Sequence, residues 1–128
     1  MNDFIAIKKL AANLDKVARF ASNGKFNSSE IAVFMAIKDE EKNIQEIAAE
    51  IGMSCPPIHS ILSINVMRKN IEEIHRPDSR HFYFKLCNKE FEDVTLLLFE
   101  GISEDEVVGL RNLLNQVNKN IDKIINPK

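Results

Sequence analysis

The sequence predicts a mainly α-helical fold carrying one small two-stranded β-wing, and three observations predict it. Asn27 with Glu30, Asn43 with Glu46 and Ser103 with Glu106 each pair an N-cap residue with a carboxylate three positions on. In that arrangement side chain and backbone satisfy each other's orphan donors at a helix start. Between these signals apolar residues recur at helical spacing. Only the stretch around residues 71–86 departs from the helical pattern. There Arg76-Pro77-Asp78-Ser79-Arg80 is a turn signal. It is followed by Phe82, Phe84 and Leu86 alternating with His81, Tyr83 and Lys85, as in a half-buried strand.

The first helix is expected from about Phe4 to Ala21. Ile7, Leu10, Leu14, Val17 and Ala21 stand three and four residues apart and form one narrow apolar stripe, which Ser22-Asn23-Gly24 ends. The second helix starts near Asn27, with Phe26 and Ile31 placed as a hydrophobic staple and Ile31, Phe34 and Met35 facing inward. Asp39-Glu40-Glu41-Lys42 is a solvated turn. Asn43 opens the third helix, whose apolar face is Ile44, Ile47, Ala48 and Ile51, and Gly52 can supply the left-handed residue that stops it. Ser54 caps a fourth helix, expected over 54–65, with Ile58, Ile61, Leu62 and Asn65 inward. Ile71 and Ile74 mark the strand before the turn, and Cys87, ending the strand after it, is expected in the core. From Asn88 the chain is helical again, with Phe91, Val94, Leu97 and Leu98 as the apolar face and a break at Gly101. In the last helix Val107, Leu110, Leu114, Val117, Ile121 and Ile124 repeat three, four, three, four, three.

Helix, tight turn, helix, then two strands around a polar turn is the order of a winged helix-turn-helix, an arrangement that usually reads duplex DNA. At 128 residues the chain fits one domain with a sizeable core. Residues 27–87 would form the winged helix-turn-helix, and 1–26 with 88–128 a helical dimerisation region. The matched seams, Leu10, Leu14 and Val17 in the first helix and Val107 to Ile124 in the last, point to a homodimer.

No apolar run approaches the roughly 20 residues of a membrane span, and Met1-Asn2-Asp3-Phe4 does not open a signal peptide. A cytoplasmic protein with no membrane partner is expected, and two cysteines far apart fit a reducing compartment. His59, His75 and His81 with Cys55 and Cys87 match no closed tetrahedral spacing, so no metal and no cofactor are expected. With no Gly-rich phosphate loop, and acidic residues placed where capping explains them, the chain does not read as an enzyme.

The net charge of −2 argues against simple non-specific DNA binding, yet residues 54–90 carry +2 where 27–53 carry −4. Ser54, Cys55, Pro56, Pro57, His59, Ser60 and Ser63 would form the outward face of the fourth helix. Two prolines in a first helical turn make a rigid apolar knob suited to thymine methyls, and His59 and Ser60 can hydrogen-bond base edges or phosphates. Arg68, Lys69, Arg76, Lys85 and Lys89 are candidate phosphate contacts. Asp78 would hold the wing turn and orient Arg80 by a charge-assisted hydrogen bond. Cys55 stands near a helix N-terminus, where a thiolate is favoured, so regulation by its oxidation is left open. The 54–65 helix contains no Lys or Arg. A second reading follows from that deficit: a winged-helix module that binds another protein, with weak or absent DNA contact.

Three motifs in order resemble those of the MarR-type regulators, over residues 27–124. Ile47-Ala48-Ala49-Glu50-Ile51-Gly52-Met53-Ser54 is similar to that family's helix-turn-helix. Asp78-Ser79-Arg80 matches its aspartate-x-arginine wing tip, and Gly101-Ile102-Ser103-Glu104-Asp105-Glu106 resembles the opening of its last helix. The overall length is that of the small SarA-like members, and the span from Cys87 to Gly101 is shorter than usual. The resemblance implies a dimeric winged-helix transcription factor, often a repressor released by a small ligand or an oxidant. It also implies that Arg80 enters an A·T-rich minor groove beside the helix, where negative potential is concentrated. Whether this chain takes a small-molecule ligand is left open by the sequence.

Overall fold

The computed structural model of the protein describes residues 2–89 and 94–127. The chain divides into two compact units, Met1–Glu92 and Asp93–Lys128. The first holds α1 (Asp3–Ala21), α2 (Ser28–Ile37), α3 (Ile44–Ile51), α4 (Cys55–Met67), β1 (Ile71–His75) and β2 (Phe82–Leu86). The second holds α5 (Val94–Leu98) and α6 (Glu104–Ile125). No single helix among the described residues is long and apolar enough to cross a membrane.

Asn2 caps α1, its Oδ1 accepting from the amides of Phe4 and Ile5 at 2.9 and 3.3 Å. The helix stops where Asn23 and Gly24 turn left-handed. Asp15, near its end, is fastened to the start of α2. It accepts from the Ser28 amide at 2.9 Å and the Ser28 hydroxyl at 3.2 Å, and pairs with Arg19 at 3.0 Å. The expected capping boxes at Asn27 and Asn43 are both formed. In α2, Ile31, Val33, Phe34, Ala36 and Ile37 are all buried, so this short helix runs through the core. Phe26 meets Phe34 edge-on at 4.8 Å. Met35, expected inward, is only half-buried, because Ala36 and Ile37 take the inner positions. Ile47, Ile58, Leu62, Ile71 and Leu86 complete the core.

Gly52 ends α3 with φ of 80° and its amide bonded to Ala48 O at 2.8 Å. The chain then turns into α4, which lies at 119° to α3. That angle is in the range expected of a helix-turn-helix. Ser54 occupies the cap position of α4 but makes no side-chain cap hydrogen bond. The helix runs to Met67, two residues beyond its expected end. Ile58, Leu62 and Asn65 face the core, while Ile61 is half-buried.

The strands form an antiparallel hairpin with Ile71 opposite Leu86, Glu73 opposite Phe84 and His75 opposite Phe82. Strand alternation places these pairs on one face, and Glu72–Lys85 with Ile74–Tyr83 on the other. Lys42 adds a bridge to Phe84, so the α2–α3 loop grips the hairpin's edge. Leu86 is buried and Phe84 half-buried, but Phe82 is 45% exposed. The alternation therefore holds at the base of the wing and fails at its outer end, which extends past the core. Cys87, expected in the core, is exposed. Leu86 is the last inward residue, and a period of two turns its neighbour out.

In the second unit, α5 is a single short turn of helix and Gly101, at φ of 79°, breaks the chain after it. Phe91 lies outside the described residues. Leu97, expected on an apolar face, is exposed. Ser103 and Glu106 form the expected capping box of α6, which is 22 residues long and has no buried residue. Leu110, Leu114, Val117, Ile121 and Ile124 stand exposed along one stripe of it.

Two carboxyls are held below their ordinary range. The Ser28 amide does this first for Asp15, helped by Arg19, and the Ser103 hydroxyl followed by its amide does it for Glu106. A depressed carboxylate contributes stability that is present above its unfolded pKa and is lost as pH falls through the folded one. The thermal midpoint is therefore expected to hold from neutrality to about pH 5 and to fall towards about pH 3. Asp15→Asn should flatten part of that fall in a pH series of thermal melts, and an unchanged slope would remove Asp15 from the cause.

Candidate nucleic-acid interface

The outward face of α4 is built from residues without charge. Pro56, Ser60, Ser63 and Met67 follow one another at helical spacing along one stripe, all exposed, Met67 by 74%. Pro57 and Ile64 are exposed on one flank and His59 on the other. Cys55 is half-buried, Ser54 exposed, and the Ser60 hydroxyl donates back to Pro56 O at 3.3 Å. Just past the helix, Arg68 and Lys69 are exposed, Lys69 in a left-handed turn at φ of 65°.

The wing stands beside this helix. A cleft of 260 Å³ separates them, lined by His59 of α4, Gln45 of α3 and Glu73, Arg80, His81, Phe82 and Phe84 of the hairpin. The turn between the strands is closed by Ser79. Its amide donates to Arg76 O at 3.1 Å, and its hydroxyl oxygen accepts from the His81 amide at 3.1 Å. Asp78 was expected to hold this turn and steer Arg80. Among the described residues it makes no ion pair with Arg80, and the side chain that closes the turn is that of Ser79. Arg80 is exposed and lines the cleft without that support.

Arg76 is tied down at the wing's base. Its guanidinium lies 3.3 Å from Glu41 and 3.5 Å from the centroid of the Tyr83 ring. A cation over an aromatic face and beside a carboxylate is held by both. It remains partly exposed, so one edge faces solvent. His75 packs on the Phe82 ring at 4.2 Å, covering part of the outer wing's apolar surface.

Solved structures share this fold over most of the chain. A MarR/EmrR family transcriptional regulator from Acinetobacter sp. ADP1 superimposes with a TM-score of 0.76 at 21% identity, over 94% of this chain and 95% of that one. The PcaV transcriptional regulator from Streptomyces coelicolor, in complex with its natural ligand, does so with a TM-score of 0.70 at 14% identity, over 89% of each chain. A mutant MarR from E. coli complexed with operator DNA gives a TM-score of 0.66 at 17% identity, over 88% of this chain and 90% of that one. The fold is that of the MarR-type winged helix. No family model and no curated relative matches the chain.

Within the MarR-type fold, α3 and α4 are the two helices of the helix-turn-helix and the β1–β2 hairpin is the wing. The structure brings His59 and Arg80, both expected at the interface, to one cleft. Lys85 and Lys89 are exposed beyond it. Glu73 and His81 also line the cleft, and sequence reasoning passed over both. The signal for Glu73 was available in the strand period. As the neighbour of Ile71 on the same face, it had to point toward the helices and not away from them.

Proposed function

We propose that the protein is a dimeric transcriptional regulator that binds duplex DNA and acts as a repressor in the cytoplasm. The observation that carries this is the side-by-side presentation of α4 and a wing ending in Arg80, in a fold whose MarR relative was crystallised on operator DNA. In this reading residues 1–128 work as one winged-helix domain. Two copies of α4 enter successive major grooves, and the 75–81 wings reach the flanking minor grooves. Arg68, Lys69 and the free edge of Arg76 contact phosphate. A dimer that occupies its site excludes other proteins from it, which is repression in its simplest form. The exposed stripes of α1 and α6 support assembly of two copies, since apolar surface this contiguous is costly to leave in water.

A second reading has its own support. The uncharged stripe from Pro56 to Met67 also suits a protein partner. A salt titration separates the two. DNA binding through Arg80 and its neighbours weakens steeply with salt, whereas an apolar protein contact does not.

Arg80→Ala is expected to weaken duplex binding by about tenfold and to lower the salt slope by about one unit. Lys123→Ala, on α6, should leave both unchanged. Fluorescence anisotropy on a labelled duplex measures the two variants side by side, and equal affinities would take the wing out of the interface.

A further inference from the structure

All three histidines of the chain lie on α4 or on the hairpin and its turn. Two of them, His59 and His81, line the cleft between helix and wing together with Glu73 and Arg80. We propose that this cleft is a proton-operated contact for the DNA phosphate backbone, in which protonated His59 and His81 supply the cations that α4 lacks. The proposal rests on the DNA-binding reading above.

The charge balance of the cleft carries the argument. With both imidazoles neutral, the Arg80 cation and the Glu73 carboxylate offset one another, and the cleft offers a polyanion no net attraction. Imidazole is the side chain whose charge changes between about pH 5 and pH 8. Protonation of both rings would turn the cleft from neutral to a net charge of about +2 without any change of fold. Both histidines are exposed, so neither has to leave a packed site to meet a phosphate.

The other groups that face the cleft do not reverse this balance. From α3 come Ile44 and Gln45, both uncharged. The acidic residues of α3 are engaged elsewhere: Glu46 in the cap at Asn43, and Glu50 with Lys42 at 2.8 Å. From β1 comes Glu73, and from the turn Arg80, with Asp78 exposed two residues before it. His75, packed on Phe82, adds a third imidazole beside the cleft. A phosphate stabilises the charged ring, so binding takes up protons and affinity rises as pH falls.

The test is the affinity of the full-length protein for one labelled duplex at about pH 6 and about pH 8, at fixed ionic strength, followed by anisotropy. Wild type is expected to bind about tenfold tighter at the lower pH, with a steeper salt slope. His59→Gln with His81→Gln, both at exposed positions, should keep the weaker affinity at both pH values, and circular dichroism shows that the double variant is folded. Glu73→Gln should bind tighter than wild type at about pH 8. Equal wild-type affinity at the two pH values overturns the proposal while leaving DNA binding intact. A pH effect that survives in the double variant overturns it as well, because another group then carries the charge. Absence of duplex binding at either pH defeats the DNA-binding reading itself, and the proposal with it.

Discussion

Asn65→Ala is expected to lower the free energy of unfolding by about 2–4 kcal/mol, with a matching drop in the urea midpoint. Asn65 is 0% exposed and sits where α4 faces the core. Its Nδ2 donates to Glu30 Oε2 at 3.2 Å and to Ile61 O at 2.9 Å. Its Oδ1 accepts from Asn70 Nδ2 at 2.9 Å, and Asn70 Oδ1 in turn accepts from Asn88 Nδ2 at 3.0 Å. Four polar side chains from α2, α4, the α4–β1 turn and the segment after β2 are thereby joined in one chain. Removing the central amide strands half-buried donors and acceptors, and an unsatisfied buried group costs more than a hydrogen bond gains. Asn65→Leu keeps the branched shape and leaves no cavity, and it should destabilise nearly as much, which separates the polar loss from cavity formation. A change of less than about 0.5 kcal/mol in both variants would mean the network contributes nothing net.

Leu114→Asp is expected to convert the proposed dimer to a monomer. Leu114 is the midpoint of the α6 stripe and is 49% exposed within its own chain. In a two-fold interface each substitution appears twice, so two unpaired carboxylates would be buried on association. Each such burial costs several kcal/mol, enough to move a micromolar equilibrium by orders of magnitude. Multi-angle light scattering on wild type and variant reads the outcome directly. A wild type that runs as a monomer at micromolar concentration would refute the dimer, and a variant that stays dimeric would move the interface off α6.

Local chemistry was legible in the sequence and long-range commitments were not. The capping boxes at Asn27, Asn43 and Ser103 are each decided within four residues, and all three form. Gly52 as the helix stop is local in the same sense, and it takes the left-handed conformation that glycine adopts at the least steric cost. The inward position of Asn65 followed from helical period, although its partners, Glu30 at 35 residues' distance above all, could not be read from it. Arg76 shows the same limit. Its tie to Glu41 also spans 35 residues and depends on how the hairpin docks against the α2–α3 loop. At the wing, alternation identified the strand but not where the core beneath it ends, so Phe82 is exposed at the outer end, while Cys87 is turned outward by the same alternation that buries Leu86. The cleft is not legible in the sequence for a related reason. Its walls, His59 on α4 and Glu73 on β1, come from elements whose separation only the fold defines.

The two prolines in the first turn of α4 bear on the thermodynamics of recognition. Helix ends ordinarily fray, and a frayed end must be ordered when it meets a partner. Fixing one residue's backbone costs roughly 1–2 kcal/mol of conformational entropy. Pro56 and Pro57 have φ fixed by their rings at values the helix already requires, so much of that entropy is surrendered when the chain folds and not at the moment of contact. In the proposed complex the helix would reach its partner with its leading edge pre-ordered. A face with no cation to draw a partner in from a distance thus keeps more of each close contact as net affinity.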